Sequence, residues 1–82
     1  MSTPERIRHK VVEIAATLGN RADDLTDDDI LPETGLLDSA GILELILWVE
    51  TEFGLDIDQQ DLSTDNFGSI RRMTAFIDAR RT

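Results

Sequence analysis

Cysteine is absent from this 82-residue chain, and histidine occurs once, as His9. Without a thiol the chain forms no disulfide and offers no thiolate as a nucleophile or metal ligand. Any sulfur chemistry must therefore come from a group that is attached to the chain later. One histidine without cysteine also provides no spacing suited to a catalytic triad or a zinc site. We predict no catalytic residues and no resident metal, and we expect His9 on the polar side of a helix.

Long hydrophobic runs are also missing. No window approaches the about 18 apolar residues of a membrane span, and the N-terminal residues lack a basic cluster followed by an apolar stretch. These features predict a cytoplasmic protein without a membrane span. With 40% hydrophobic and 30% charged residues, the chain is apolar enough to fold and too short for two cores. We expect a single domain over residues 1–82, present as a monomer.

Positive charge is missing from the middle of the chain. From Ala22 to Ile70 there are 14 aspartate or glutamate residues and no lysine or arginine. The two ends hold the other 3 acids and all 8 bases, so the net charge of −9 divides into −14 and +5. Such a field repels nucleic acid and attracts basic protein surfaces, although it can also serve only for solubility. We predict partners with basic docking surfaces and no binding of nucleic acid.

Apolar residues at helical spacing predict a first helix, which Thr3 should cap, Pro4 should start and Gly19 should end. Six residues are expected on or beside its core face: Ile7, Val11, Val12, Ile14, Ala15 and Leu18. Residues 20–38 have no sustained period and are rich in aspartate, so they predict a long loop. Its apolar residues should pin it to the core: Leu25, Ile30, Leu31, Leu36 and Leu37.

Two further helices are predicted after the loop. Helical spacing indicates one from Ser39 to Phe53 and another that begins near Asn66 to Ser69 and ends in Arg80-Arg81. Between them Asp58 should start a short helical turn, with three apolar residues facing inward: Leu55, Ile57 and Leu62. No segment has the pattern of a convincing strand, so the sequence predicts an all-α domain.

The second helix has an additional apolar line outside its core face. A helix that is apolar on two faces usually has two partners. One partner is the core, and the other is either a visiting protein or the loop after Gly19. The first alternative predicts a docking surface with acidic flanks. Its residues are Ala40, Leu43, Glu44, Leu47 and Glu50.

Asp38 and Ser39 stand at the start of the second helix. Both residue types are ordinary helix caps, so the pair alone indicates no chemistry. At an exposed helix start, however, a modifying enzyme can reach the Ser39 hydroxyl, and an attached phosphate would lie beside the positive end of the helix dipole. The role of Asp38 stays open, because its negative charge opposes such a phosphate unless it binds the modifying enzyme or its metal.

The run Gly35-Leu36-Leu37-Asp38-Ser39-Ala40-Gly41-Ile42-Leu43-Glu44-Leu45 resembles the acyl carrier protein family, which includes peptidyl and aminoacyl carrier domains. The similarity extends from about Ile7 to Ile77. It implies an antiparallel four-helix bundle of acyl-carrier type with a short third helix. It also implies that a phosphopantetheinyl transferase attaches 4′-phosphopantetheine from coenzyme A to Ser39, with Asp38 as the adjacent motif residue.

The resemblance further implies that the terminal thiol of this arm carries acyl groups as thioesters between partner enzymes. Those partners are acyl-transferring ligases or synthases of fatty-acid, polyketide or related secondary biosynthesis. The chain is then a substrate of other enzymes and not an enzyme. Ala40-Gly41 replaces the Leu-Asp or Leu-Gly that is more usual after the serine, which predicts a specialised, stand-alone carrier.

One other interpretation competes with a carrier. An acidic helical adaptor would bind a basic protein through the second helix and never receive an arm. A calcium site is not expected, because the aspartate-rich segments lack the glycine and terminal glutamate of a calcium loop at the proper spacing.

Overall fold

A computed structural model describes residues 1–81, which form helices and turns without a strand. The elements are α1 (Thr3–Thr17), α2 (Leu31–Thr34), α3 (Ser39–Phe53), a 3₁₀ turn (Gln59–Asp61), α4 (Thr64–Phe67) and α5 (Ile70–Arg80). The predicted all-α fold is confirmed. The frame consists of α1, α3 and α5, and the 3₁₀ turn and α4 occupy the place of the short third helix. Within residues 1–81, no helix is long and apolar enough to cross a membrane.

Helix α1 begins with a capping box. The Ser2 hydroxyl accepts a hydrogen bond from the backbone N–H of Glu5, and the Glu5 carboxylate accepts one from the backbone N–H of Ser2. The prediction of Thr3 as the cap was wrong by one residue, because Ser2 has the glutamate three positions later that completes the box. Gly19 follows the helix with a φ of +80°, which confirms the predicted left-handed stop.

The core lies where the three long helices meet. Helices α1 and α3 run antiparallel, since Arg6 near the start of α1 pairs with Glu52 near the end of α3. Ile14, in the last part of α1, faces Gly41 in the first turn of α3. Eight side chains of these helices have at most 1% of their surface exposed: Ile7, Val11, Ala15, Leu45, Val49, Ile70, Met73 and Ile77.

Three apolar residues that were predicted to face inward are exposed: Val12, Leu18 and Leu62. Val12 is turned by about 100° around α1 from its buried neighbour, which places it outside the core stripe. Leu18 follows the last residue of α1 and is no longer part of the helical face. Leu62 has an extended backbone where the chain leaves the 3₁₀ turn, so the spacing of that turn does not orient it.

The segment between α1 and α3 contains one turn of helix, α2, and is therefore not the continuous loop that the sequence predicted. A helix of four residues is too short to show an apolar period. Leu25, Leu31 and Leu37 are buried as predicted and anchor the segment in the core, while Ile30 and Leu36 are half-buried. Helix α4 escaped prediction for the same reason.

Two arginines fasten this acidic segment to the long helices. Arg8 of α1 donates hydrogen bonds to the carbonyl oxygen of Leu25 and to the carboxylate of Asp27. Arg71 of α5 donates to the carboxylate of Asp28. Bases from both ends of the sequence thus neutralise acids in its middle.

Candidate functional site

Ser39 is the first residue of α3 and is exposed to solvent. Asp38, immediately before it, is the N-cap of the helix, and its carboxylate accepts a hydrogen bond from the backbone N–H of Gly41 at 2.7 Å. Within the described residues, neither a hydrogen bond nor an ion pair engages the Ser39 hydroxyl. An accessible hydroxyl therefore stands at the positive end of a 15-residue helix.

Gly41 allows the first turn of α3 to pack closely against its surroundings. A Cβ atom at this position would lie 3.2 Å from the Asp38 carboxylate, 3.3 Å from the Ile14 side chain and 3.4 Å from Leu37. These distances are at or below ordinary carbon contact, so a larger residue would press on the cap and on α1. The Ala40-Gly41 pair thus has two environments, since Ala40 is exposed and Gly41 is buried.

The additional apolar line of α3 is open to solvent. Leu43 and Leu47 have 53% and 54% of their surface exposed, and Ala40 and Glu44 are exposed beside them. The alternative that the loop after Gly19 covers this face is therefore wrong. Two large exposed leucines on one helix face are the kind of surface that a binding partner covers.

Glu50 has a different environment from the other predicted docking residues. It is half-buried, and its carboxylate accepts a hydrogen bond from the backbone N–H of Ile57 at 2.9 Å. This bond fastens the segment after α3 to the helix. Trp48 is also half-buried, and its ring meets that of Phe53 edge to face with 5.8 Å between the centroids. Trp48 therefore belongs to the rim of the core.

The charges near α3 are partly balanced by α1. Besides the pair between Arg6 and Glu52, Lys10 donates a hydrogen bond to Glu13. This bond, with a smaller contribution from the nearby Glu44 carboxylate, raises the pKa of Lys10. Within residues 1–81, no three acidic or histidine side chains are grouped so that they could hold a metal ion.

A groove of about 280 Å³ lies beside the start of α3. Its walls come from α2, α3 and the segment that includes α4: Pro32, Ile42, Ile46, Leu62, Ser63, Thr64, Phe67 and Gly68. Ile42 and Ile46 follow Ser39 at i+3 and i+7, so they lie along the same side of α3 as the serine. Sequence reasoning missed this groove, because it is formed by two short helices that have no periodic signal.

The sequence family described as a phosphopantetheine attachment site matches residues 9–77 of the chain. The chain belongs to this family of phosphopantetheine-binding carrier proteins. The match includes α3 with its exposed serine and all of the groove. Members bear a covalent 4′-phosphopantetheine and are substrates of a phosphopantetheinyl transferase and of ligases or synthases. The predictions of a carrier, of its cofactor and of a non-enzymatic role are thereby confirmed.

Curated relatives of this carrier protein are themselves named as carriers. It is 31% identical over 74 residues to the D-alanyl carrier protein of Leuconostoc citreum, and the aligned residues cover 89% of this chain and 94% of the relative. It is 31% identical over 75 residues to the D-alanyl carrier protein of Lacticaseibacillus casei, with 90% and 93% covered. Aminoacyl carrier protein 2 of Bradyrhizobium diazoefficiens is 40% identical over 53 residues, or 60% of each chain.

The start of α3 in this carrier protein fits a phosphopantetheine group. The fit rests on an exposed hydroxyl without an intramolecular partner, on the orientation of the helix dipole and on open space beside the serine. An arm bound there would supply a flexible chain with a terminal thiol, which the cysteine-free sequence lacks.

Proposed function

We propose that Ser39 carries a 4′-phosphopantetheine arm and that the protein transports aminoacyl groups bound to this arm as thioesters. The matched residues 9–77 contain two other serines, Ser63 and Ser69. Their side chains accept hydrogen bonds from the first turns of α4 and α5 and serve as helix caps. The observation that carries the proposal is that Ser39 is the serine of this region with an exposed and unengaged hydroxyl.

Attachment joins the Ser39 oxygen to the phosphorus atom nearest the pantetheine of coenzyme A. A P–O bond of the diphosphate breaks, adenosine 3′,5′-bisphosphate leaves, and the transferase takes up the hydroxyl proton. The resulting phosphodiester keeps one negative charge, which the dipole of α3 stabilises. Asp38 opposes this effect by its like charge, although its carboxylate is already bonded to the N–H of Gly41.

An aminoacyl cargo is supported by the relatives, which are named as carriers of D-alanyl or aminoacyl groups. The fatty-acid or polyketide cargo expected from the sequence has no such support among them. In loading, the thiol of the arm attacks an activated aminoacyl group held by a ligase, and the activating group leaves. Exchange between enzymes then requires that the protein present the thioester and remain bound only briefly.

The exposed line of α3 is the surface we propose for these partner enzymes. Ala40, Leu43 and Leu47 offer apolar area within two to three turns of the attachment point, and Glu44 adds negative charge for steering a basic partner. Glu50 was expected to contribute as well. Its bond to Ile57 favours a supporting role in the fold. We further propose that residues 1–82 act as one monomeric domain in the cytoplasm, where coenzyme A and the transferase are also present.

Mass spectrometry of the full chain tests the proposal. Incubation with coenzyme A and a broad-specificity phosphopantetheinyl transferase is expected to add one phosphopantetheinyl mass, and fragmentation should place it on Ser39. Ser39→Ala should abolish the addition. Ser63→Ala is the matched control, because it removes a hydroxyl from another helix start and should leave the modification intact.

An unmodified wild-type protein would instead favour the acidic adaptor. Attachment to Ser63 or Ser69 would contradict the assignment of Ser39 while leaving the carrier family intact. The cargo is tested by incubating the arm-bearing protein with its partner ligase and ATP. The arm-bearing protein should then gain the mass of an amino acid residue. A fatty-acyl mass on the arm in the same preparation would contradict an aminoacyl cargo.

A further inference from the structure

Lys10 is the only lysine of the chain, and the other seven of its eight basic residues are arginine. The two residue types differ in their reactivity toward a thioester. An arginine guanidinium stays protonated, whereas a lysine amine that has lost its proton is a nucleophile and a common site of acetylation. Lys10 is therefore the one side chain of this carrier whose amine can form a stable amide with an acyl group.

Lys10 lies on the side of α1 that packs against α3. Ile14, one turn later on the same side, faces Gly41 in the first turn of α3. The Lys10 ammonium also interacts through its charge with the carboxylate of Glu44, which belongs to the exposed line of α3. The sole lysine is thus placed beside the half of α3 that begins with the attachment point.

An arm on Ser39 can reach Lys10. Because the two helices run antiparallel, Lys10 lies about 6 Å beyond Gly41 along the α3 axis, and Ser39 lies about 3 Å before it. With about 8–10 Å between the axes of packed helices, the backbones at the two positions are about 13 Å apart. The arm has about 15 bonds from the serine oxygen to the thioester carbon, as many as about five residues of extended chain, which span about 17 Å. The thioester of a loaded arm can therefore meet the Lys10 amine without a change in the fold.

Glu13 keeps the Lys10 amine in its unreactive form. The ammonium donates a hydrogen bond to the Glu13 carboxylate at 2.8 Å. This bond raises the pKa of Lys10, with smaller contributions from the charges of Glu13 and of Glu44 on α3. On the same helix, His9 acts through its charge on Glu13. A higher pKa leaves less neutral amine at a given pH, whereas lysines that serve as nucleophiles have a lowered pKa.

We propose that Lys10 is an acceptor to which the loaded arm can lose its acyl group, and that Glu13 slows this loss by holding the Lys10 amine as an ammonium. In this step the neutral amine attacks the thioester carbonyl, a C–N bond forms and the C–S bond breaks. The amine gives up a proton to water, and the released thiolate takes one up. The products are an amide on Lys10 and a free thiol on the arm. The proposal rests on the proposed function of Ser39, because the arm must be present.

Mass spectrometry of the loaded full chain tests the acceptor. A broad-specificity phosphopantetheinyl transferase loads acetyl-pantetheine from acetyl-coenzyme A, the excess reagent is removed, and the protein is incubated at about pH 9 to increase the neutral amine. Hydroxylamine then cleaves the remaining thioester and leaves an amide intact. We expect an acetyl mass that survives this treatment on Lys10, formed at a rate independent of the protein concentration. Lys10→Arg should abolish it, and so should Ser39→Ala mixed with an equal amount of acetyl-coenzyme A.

The role of Glu13 is tested by Glu13→Gln, which removes the charge and retains the shape of the side chain. Amide formation on Lys10 should become about threefold faster, a modest factor because the pair is partly exposed. Salt at 1 M should narrow the difference from the wild type. Asp78→Asn is the matched control, since it removes an exposed carboxylate of α5 that does not act on Lys10. It should leave the rate unchanged.

Moving the sole lysine tests the requirement for proximity. The double variant Lys10→Arg and Arg81→Lys places it at the other end of the bundle, where the Arg81 guanidinium lies 5.8 Å from the centroid of the Phe53 ring. Phe53 is about 21 Å from Ser39 along α3, which exceeds the about 17 Å of the extended arm. Amide formation should be at least about tenfold slower than in the wild type.

Loss of the thioester without an amide on Lys10 would overturn the acceptor, and so would an equal rate in the double variant or a rate that rises with protein concentration. Equal rates in the wild type and Glu13→Gln would overturn the role of Glu13. These outcomes leave the proposed function intact, because the arm has been loaded. Failure of loading, or loading that persists in Ser39→Ala, would instead contradict the proposed function itself.

Discussion

The carboxylate of Asp38 and the backbone N–H of Gly41 form a 2.7 Å hydrogen bond that closes the first turn of α3 around Ser39. The residue next to the proposed attachment point is therefore part of the fold. Asp38 supplies an acceptor to one of the N–H groups that a helix start leaves without an intrahelical partner. The question that the sequence left open about Asp38 thus has a structural answer in capping.

Replacing this cap should cost a measurable part of the stability. We expect Asp38→Ala to lower the free energy of unfolding by about 1 kcal/mol, since an N-cap side chain contributes about 0.5–2 kcal/mol. Asp38→Asn retains an oxygen acceptor and should lose much less. Urea unfolding followed by circular dichroism measures both values. Equal losses in the two variants would indicate that the charge, and not the hydrogen bond, is what α3 requires.

Leucine substitutions at the adjacent positions 40 and 41 should have unequal effects on the stability of the fold. Gly41→Leu places a side chain against Asp38 and Ile14, where even a Cβ atom has little room, and overpacking typically costs about 1–3 kcal/mol. Ala40→Leu adds the same side chain at an exposed position and should change the stability by less than about 0.5 kcal/mol. Thermal unfolding of the two variants checks this. A stable Gly41→Leu protein would mean that α1 and α3 can move apart.

The long helices could be predicted from the sequence because each has an apolar face of several turns. Ser39–Phe53 was predicted to the residue, since Asp38 and Gly54 mark its two ends. Packing between elements has no such signature. The half-buried Glu50 was assigned to the docking surface from its place on the helix, and its bond to Ile57 depends on how the following segment folds back.

The groove beside α3 was also beyond sequence reasoning. Phe67 lies in a four-residue helix that ends at Gly68, and its contact with Phe76 joins two elements across a turn. By contrast, one error was avoidable. Ser2 and Glu5 have the spacing of a capping box, which identifies the start of α1 without any knowledge of the fold.

Charge on the exposed line of α3 should impair partner binding without unfolding the protein. Leu43→Glu and Leu47→Glu replace side chains that are more than half exposed, so each should change the free energy of unfolding by less than about 0.5 kcal/mol. Either change should weaken loading by a partner ligase at least about tenfold, which corresponds to about 1.4 kcal/mol of binding energy. The rate of aminoacyl transfer to the arm is the measurement.

A polar substitution elsewhere on the surface controls for added charge. Val12→Glu introduces the same carboxylate on the exposed side of α1 and should leave transfer unchanged. Loss of helical signal in Leu43→Glu would contradict the exposure of this line. Unchanged transfer in both α3 variants would place the partner on another surface.

Acid should weaken the attachment of the acidic segment to α5. Arg71 donates a hydrogen bond to Asp28 and lowers the pKa of that carboxyl from its usual 3.8. A carboxyl whose pKa is lower in the folded state contributes stability above its unfolded pKa and loses it as the pH falls through the folded value. We therefore expect the melting temperature to decline from about pH 5 towards pH 2.

Removing this carboxyl should make that decline shallower. The comparison is Asp28→Asn against Asp24→Asn, which alters an exposed aspartate outside the ion pairs of residues 1–81. Because both partners of the Asp28 pair are exposed, we expect a small difference that 1 M salt reduces further. Identical pH profiles for the two variants would mean that the pair contributes nothing to folding.

Salt should raise the stability of the protein, even though it weakens individual ion pairs. Of the 14 acids from Ala22 to Ile70, five pair with arginine and nine have no ion pair within residues 1–81. Exposed pairs contribute about 0–1 kcal/mol each, and the unpaired acids repel one another in the folded state. Raising the ionic strength from about 0.01 M to 1 M shortens the Debye length from about 30 Å to 3 Å and suppresses this repulsion.

Each kcal/mol of stability recovered by this screening should add about 4–8 °C to the melting temperature of a domain this small. Calorimetry in sodium chloride measures the rise, and calcium chloride at equal ionic strength should give the same one if screening is the cause. A melting temperature that falls with salt would mean that the arginine pairs outweigh the repulsion between the remaining acids.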